Sequence, residues 1–169
     1  MKAKLLIEGK EIEVEISEKE YKKLYPPEEK KTGYERVPSN NRYFYVAADG
    51  SLESDLDEYN CIENDYYKSA NYYSSEIMVE NNARADKLMR QLRRFAVEHR
   101  ESKADLNSIY TDKHYIRYDY DDNDLGTNYT SYTKVFGAIY FDSREAAQAA
   151  IDEFHDELMW YFTEYKDSL

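Results

Sequence analysis

Apolar and polar residues alternate in "AKLLIEGKEIEVEI", where Leu6, Ile12, Val14 and Ile16 stand among Glu and Lys. An apolar residue at every second position gives a strand one buried face, and Gly9-Lys10 offers a turn between two such runs. The pattern therefore predicts an N-terminal β-hairpin. Ser17 then caps a short helix, "SEKEYKKLY", with Glu20 completing a capping box, and Pro26 and Pro27 end it. "PPEEKKTG" reads as a linker. Beyond it, "NRYFYVAADGSLESDL" predicts two strands around Asp49-Gly50. After an irregular acidic loop, "ANYYSSEIMVENNARADKLMRQLRRFAVEHR" begins as a strand and becomes a long helix from Ser74 or Ser75. There Ile77, Val79, Ala83, Leu88, Leu92, Phe95 and Ala96 recur at roughly helical spacing.

The second half follows the same plan. "KHYIRYDY" and "TKVFGAIYFD" predict strands around the polar stretch "DDNDLGTNYTS", and Asp142 or Ser143 starts the helix "REAAQAAIDEFHDELMWYFTEYKD". "YYSSE" at 72–76 and "YFDSRE" at 140–145 share chemistry and position: paired aromatics, a cap, then a helix. The expected fold is α+β, with two tandem strand-strand-helix units after an N-terminal β-hairpin and helices packed on antiparallel sheet. Residues 1–25 form the hairpin and short helix, 26–33 the linker, 34–110 the first ββα module and 111–169 the second. Leu88, Leu92, Phe95, Phe154, Leu158 and Phe162 are the expected core, each contributing roughly 1.5–3 kcal/mol of apolar transfer. Residues 158–162, Leu-Met-Trp-Tyr-Phe, cover every side of a helix, more than one small core absorbs. This helix is expected to meet the N-terminal hairpin or a second copy, with a homodimer favoured.

Charge changes the picture. The 169-residue chain carries a formal net charge of -12, yet residues 81–100 hold six Lys or Arg against two acids, a local +4. Aromatic residues reach 15%, with 19 Tyr, far more than a disordered acidic chain carries. The single cysteine, Cys61, excludes an intramolecular disulfide and is compatible with a reducing cytoplasm. Without a membrane-length apolar run, the chain reads as soluble and intracellular.

On a helix, Arg84, Lys87, Arg90 and Arg94 recur every three or four residues, with Arg93 widening the stripe and Leu88, Leu92 and Phe95 opposite. Such a stripe could follow phosphates, although pairing with the chain's own carboxylates or self-association is the better expectation. Two acidic, tyrosine-rich tracts stand against it, "DGSLESDLDEYNCIENDYY" with Glu53, Asp55 and Asp57, and "YDYDDNDL" with Asp119, Asp121, Asp122 and Asp124. Spaced carboxylates imitate a phosphate backbone, and interleaved Tyr adds contact area at low entropy cost. "DYDDNDLG" fails as a calcium loop, because neither of its registers places both the glycine and the oxygen ligands correctly. His99, His114 and His155 lack metal-ligand spacing, and no phosphate-binding Gly loop or Ser elbow is present. No catalysis, metal or cofactor is expected.

Three stretches together, "KKTGYERV" at 30–37, "ANYYSSEIMVENNARADKLMRQLRRFAVEH" at 70–99 and "DELMWYFTEYKDSL" at 156–169, resemble a family of phage and mobile-element proteins of Gram-positive gut bacteria. That family includes type II-A anti-CRISPR proteins, inhibitors of the RNA-guided CRISPR nuclease. The resemblance implies an inhibitor that blocks target DNA binding or cleavage in the cytoplasm of an infected bacterium, and it supplies no catalytic residues. Two alternatives stay open: a phage nucleic-acid-binding accessory protein using the basic helix at 84–100, and a phage protein-interaction module unrelated to CRISPR.

Overall fold

The computed structural model describes residues 2–7, 10–15, 17–19, 31–103 and 105–166, and the chain divides into two units, Met1–Thr32 and Gly33–Leu169. In the first unit, β1 (Lys2–Ile7) pairs antiparallel with β2 (Lys10–Glu15), from Lys2 opposite Glu15 to Ile7 opposite Lys10. Lys10 is thus a strand residue, while Gly9 lies outside the described residues. Of the expected helix at 17–25, Glu18 and Lys19 are helical; Glu20, Pro26 and Pro27 lie outside the described residues.

The second unit runs β3 (Arg42–Val46), β4 (Leu52–Leu56), α1 (Cys61–Lys68), α2 (Glu76–Glu98), β5 (Lys113–Asp119), β6 (Asp124–Thr130), α3 (Arg144–Glu153) and α4 (His155–Thr163). It is α+β, with antiparallel hairpins β3–β4 and β5–β6 packed against helices. The first hairpin turns at Asp49-Gly50 as expected. The Gly50 N–H donates to the Ala47 carbonyl at 2.9 Å, and Gly50 takes φ +89°, a region that a side chain would strain.

The duplicated plan is visible in backbone hydrogen bonds. Phe44 and Tyr73 exchange both of theirs at 2.9 Å, and His114 and Phe141 do the same at 3.0 and 2.8 Å. In each repeat an aromatic residue, two positions before a serine cap, adds a one-residue third strand to the hairpin. Ser75 and Ser143 then precede α2 and α3, and the Ser143 hydroxyl accepts from the Ala146 N–H at 3.1 Å. Both repeats contribute to one core, in which Leu88 and Leu92 of α2 meet Leu125, Phe141, Ala147, Ala150, Ile151 and Leu158.

Several expected elements differ. "TKVFGAIYFD" is not a strand; only Phe141 pairs, while Ile139 packs against the core. The partner of β5 is the polar stretch, because Tyr120–Asn123 turn tightly, with Asn123 at φ 53°, and put Leu125 opposite Tyr118. Leu125 is the only large aliphatic residue on β6, so apolar periodicity could not reveal that strand. The acidic loop contains α1, capped reciprocally: the Asn60 side chain accepts from the Ile62 N–H at 2.8 Å, and the Asn60 N–H donates to Glu63 at 2.7 Å. "ANYY" supplies only the Tyr73 bridge, and the second long helix breaks into α3 and α4 at Phe154, with φ -113° and ψ 23°. Leu88, Leu92 and Leu158 are buried, whereas Phe95, Phe154 and Phe162 are half-buried and Ile77 is exposed.

Candidate interaction surfaces

The first acidic tract splits by strand alternation. In β4, Glu53 lies opposite Tyr45 and Asp55 opposite Tyr43, on the side where the Tyr45 ring stacks on Tyr66 at 4.4 Å and Tyr43 on Tyr72 at 4.5 Å. Glu53 and Asp55 are exposed at the margin of this ladder. Burial, then Tyr66 and the carboxylates of Glu53 and Asp55, raise the Tyr45 hydroxyl above its ordinary pKa. The Tyr45 hydroxyl therefore remains neutral beside the acids.

Asp57 is a correction. Instead of joining an acidic surface it is fully buried, with a relative exposure of 0%. Its carboxylate takes a bidentate Arg36 fork, Nε to Oδ2 at 2.8 Å and Nη2 to Oδ1 at 2.9 Å. The Tyr72 hydroxyl and the Tyr59 N–H also donate to it, both at 2.8 Å. The Arg36 bonds, ahead of those from Tyr72 and Tyr59, outweigh the cost of burial and hold the carboxyl down to about 2. The Arg36 guanidinium also lies over the Tyr59 ring at 4.3 Å. This node ties the segment before β3 to the end of β4 and the start of α1.

The second tract stays together at the β5–β6 turn. Asp119 is half-buried and pairs with Arg117 at 2.6 Å, and Arg117 lowers its pKa ahead of the Asp121 N–H. Asp121, Asp122 and Asp124 are exposed and have no cationic partner among the described residues, and Tyr120 between them is 76% exposed. The Asp119 carboxylate helps hold the turn, accepting from the Asp121 N–H at 3.1 Å. No ion pair or hydrogen bond joins this turn to Glu53 or Asp55 among the described residues.

The basic helix is also divided. Arg84 makes a bidentate pair with Glu157 of α4 at 2.7 and 3.1 Å and lies 4.0 Å over the Trp160 ring. Arg94 pairs with Glu98 one turn on, at 3.7 Å. Lys87, Arg90 and Arg93 are exposed with no acidic partner among the described residues. Arg84 thus serves the packing of α4 on α2. Because the pair is more than a third exposed, Arg84→Ala is expected to cost no more than about 1 kcal/mol, with Trp160 emission shifting red in the folded protein. An unchanged spectrum would contradict the ring contact.

Composition concealed two further features. Lys113 is buried and donates to three carbonyls, of Ser108, Thr111 and Ser131, at 2.9, 2.9 and 2.6 Å. With Lys134 bonded to Asn107 at 2.7 Å, it holds the loops at 105–112 and 131–137 side by side. These loops expose Tyr110 (88%), Tyr132 (81%) and Phe136 (105%). The Tyr, Ser, Thr and Asn content of "TNYTSYTKVFG" was the available signal, since binding loops favour that mixture. Among the described residues no group of three His, Cys, Asp or Glu is placed to hold a metal ion, and no helix is long and apolar enough to cross a membrane.

Comparison with known proteins adds no relative. No family model matches the chain, and neither a curated protein nor a solved structure matches it.

Proposed function

We propose that the chain is a non-catalytic inhibitor that binds a type II-A RNA-guided nuclease and blocks its engagement or cleavage of target DNA. The observation that carries this reading is the β5–β6 turn, where Asp121, Asp122 and Asp124 flank the exposed Tyr120 without cationic partners among the described residues. Such a nuclease holds guide and target in positively charged channels and reads a short duplex motif through arginines. Closely spaced carboxylates suit those channels, and a tyrosine among them adds contact area at small entropic cost. The net charge of -12 steers the whole molecule toward a basic partner. Glu53 and Asp55, beside the tyrosine ladder, form a second contact of the same chemistry. The choice of nuclease rests on the sequence resemblance, and the setting it implies is the cytoplasm of an infected bacterial host.

A phage accessory protein that binds DNA or RNA is the second reading, favoured by Lys87, Arg90 and Arg93, which are exposed with no acidic partner among the described residues. Target cleavage by a type II-A nuclease, with the protein added before or after the DNA, separates the two. The inhibitor reading expects cleavage to be lost when the protein comes first, and expects Lys87→Glu, Arg90→Glu and Arg93→Glu together to leave that loss intact. Undiminished cleavage rejects inhibition. Tight binding of free DNA or RNA that the triple reversal abolishes, with log affinity falling as log salt rises, establishes the second reading.

A further inference from the structure

Asp57 shows how this part of the chain holds a cation. Besides taking the Arg36 fork, it sets that guanidinium over two tyrosines, 4.3 Å from the Tyr59 ring centre and 5.7 Å from that of Tyr67 on α1. Tyr72 links this node to the rest of β4, donating to Asp57 and stacking on Tyr43, which lies opposite Asp55. Asp55 and Glu53 stand beside the Tyr45 and Tyr66 rings, yet no cation pairs with either among the described residues. Arg36 is committed, since its remaining nitrogen donates to Asn64.

Tyr43 supplies a second, independent sign of a missing ligand. It is only 1% exposed, and its hydroxyl makes no hydrogen bond among the described residues. A buried hydroxyl ordinarily has a partner. After burial itself, the carboxylates of Glu63 and Asp55 do most to raise its pKa, which places both charges near the hydroxyl. Glu63 on α1 is buried too, accepting from the Asn60 N–H at 2.7 Å but pairing with no cation among the described residues. Buried carboxylates are ordinarily paired.

We propose that this face receives one arginine side chain of a protein partner, its guanidinium against the carboxylates of Asp55 and Glu53, beside the stacked Tyr45 and Tyr66 rings, with the Tyr43 hydroxyl as a further acceptor. A metal ion is the poorer occupant, because no three carboxylates among the described residues stand close enough to hold one. A guanidinium is planar, stacks on aromatic rings and carries five donors, enough for two carboxylates and a hydroxyl, whereas an ammonium is compact and strongly hydrated. The source of the arginine rests on the proposed function, in which the partner reads DNA through arginines. The site itself is tested without that partner.

The probe is the capped peptide acetyl-Gly-Arg-Gly-amide, titrated into the full chain while the tyrosine ring resonances are followed by NMR. Saturable shifts at Tyr45 and Tyr66 are expected, with a Kd of the order of 1–10 mM. The matching lysine peptide should bind at least about 3-fold more weakly. Glu53→Gln with Asp55→Asn should weaken the arginine peptide by at least about 10-fold, and Tyr43→Phe by about 2- to 10-fold. Because the Tyr43 hydroxyl is unbonded within the chain, Tyr43→Phe should leave the melting temperature unchanged. Absence of saturable shifts up to about 50 mM, equal binding of the lysine peptide, or undiminished binding in the double variant overturns the proposal. The nuclease reading stands or falls separately. A chain that binds the arginine peptide but no nuclease keeps this site and loses that reading, and one that binds the nuclease but not the peptide does the reverse.

Discussion

Asp57→Ala is expected to destabilise the protein by about 3 kcal/mol, at the lower end of the range for breaking a buried ion pair because Arg36 keeps some contact with water. The substitution strands the Arg36 fork, leaves the Tyr72 hydroxyl without its acceptor and frees the Tyr59 N–H. Folded domains are stable by only about 5–15 kcal/mol, so this is a large fraction of the total. The corresponding fall in melting temperature is about 6–12 °C for a chain of this size. Asp55→Ala, two residues away and exposed, should move stability by no more than about 0.5 kcal/mol. Equal effects at the two positions would refute the burial of one and the exposure of the other.

The same node gives a pH signature. The folded carboxyl of Asp57 titrates at about 2, below its ordinary 3.8, so the unfolded chain binds the proton more readily. The contribution is complete above the ordinary carboxylate range and is lost as pH falls from about 4 toward about 2. It amounts to about 2 kcal/mol. Asp57→Asn should flatten that part of the stability-pH curve.

How far the sequence could be read depended on how much of each element's pattern is carried by its own residues. Over its 23 residues, α2 repeats its apolar positions often enough to show a helical period unaided. Its counterpart announced its start through Ser143, but nothing local marked the break at Phe154. β6 escaped notice because its inner face needs only Leu125, the rest of the contact coming from β5 and the helices. α1 carried a signal that was available and missed, the Asn60-x-x-Glu63 box. Among the site residues, carboxylates at a turn stay where charge patterning puts them, so Asp119, Asp121, Asp122 and Asp124 remain one patch. Asp57 could not be separated from Glu53 and Asp55 by composition. Its burial depends on Arg36, 21 residues earlier, and on Tyr72, 15 residues later. The basic stripe failed likewise at Arg84, whose partner Glu157 lies 73 residues away.

The second large effect belongs to the β5–β6 turn. Replacing Asp121, Asp122 and Asp124 with Asn removes three charges that support no cation within the described chain, so the fold should be retained and stability should change little. If those charges steer the protein into a basic channel, association with the nuclease should slow by about 10- to 100-fold at low salt. The remaining salt dependence should be shallower, while dissociation changes less. Tyr120→Ala, which removes contact area and no charge, should instead act on dissociation.

The most direct measurement is therefore the association rate of parent and triple-Asn proteins with a type II-A nuclease, by surface plasmon resonance from about 50 to about 500 mM salt. The account predicts fast, strongly salt-dependent association for the parent and slow, weakly salt-dependent association for the variant, with the two rates converging at high salt. Identical rates and identical salt slopes for the two proteins would contradict it.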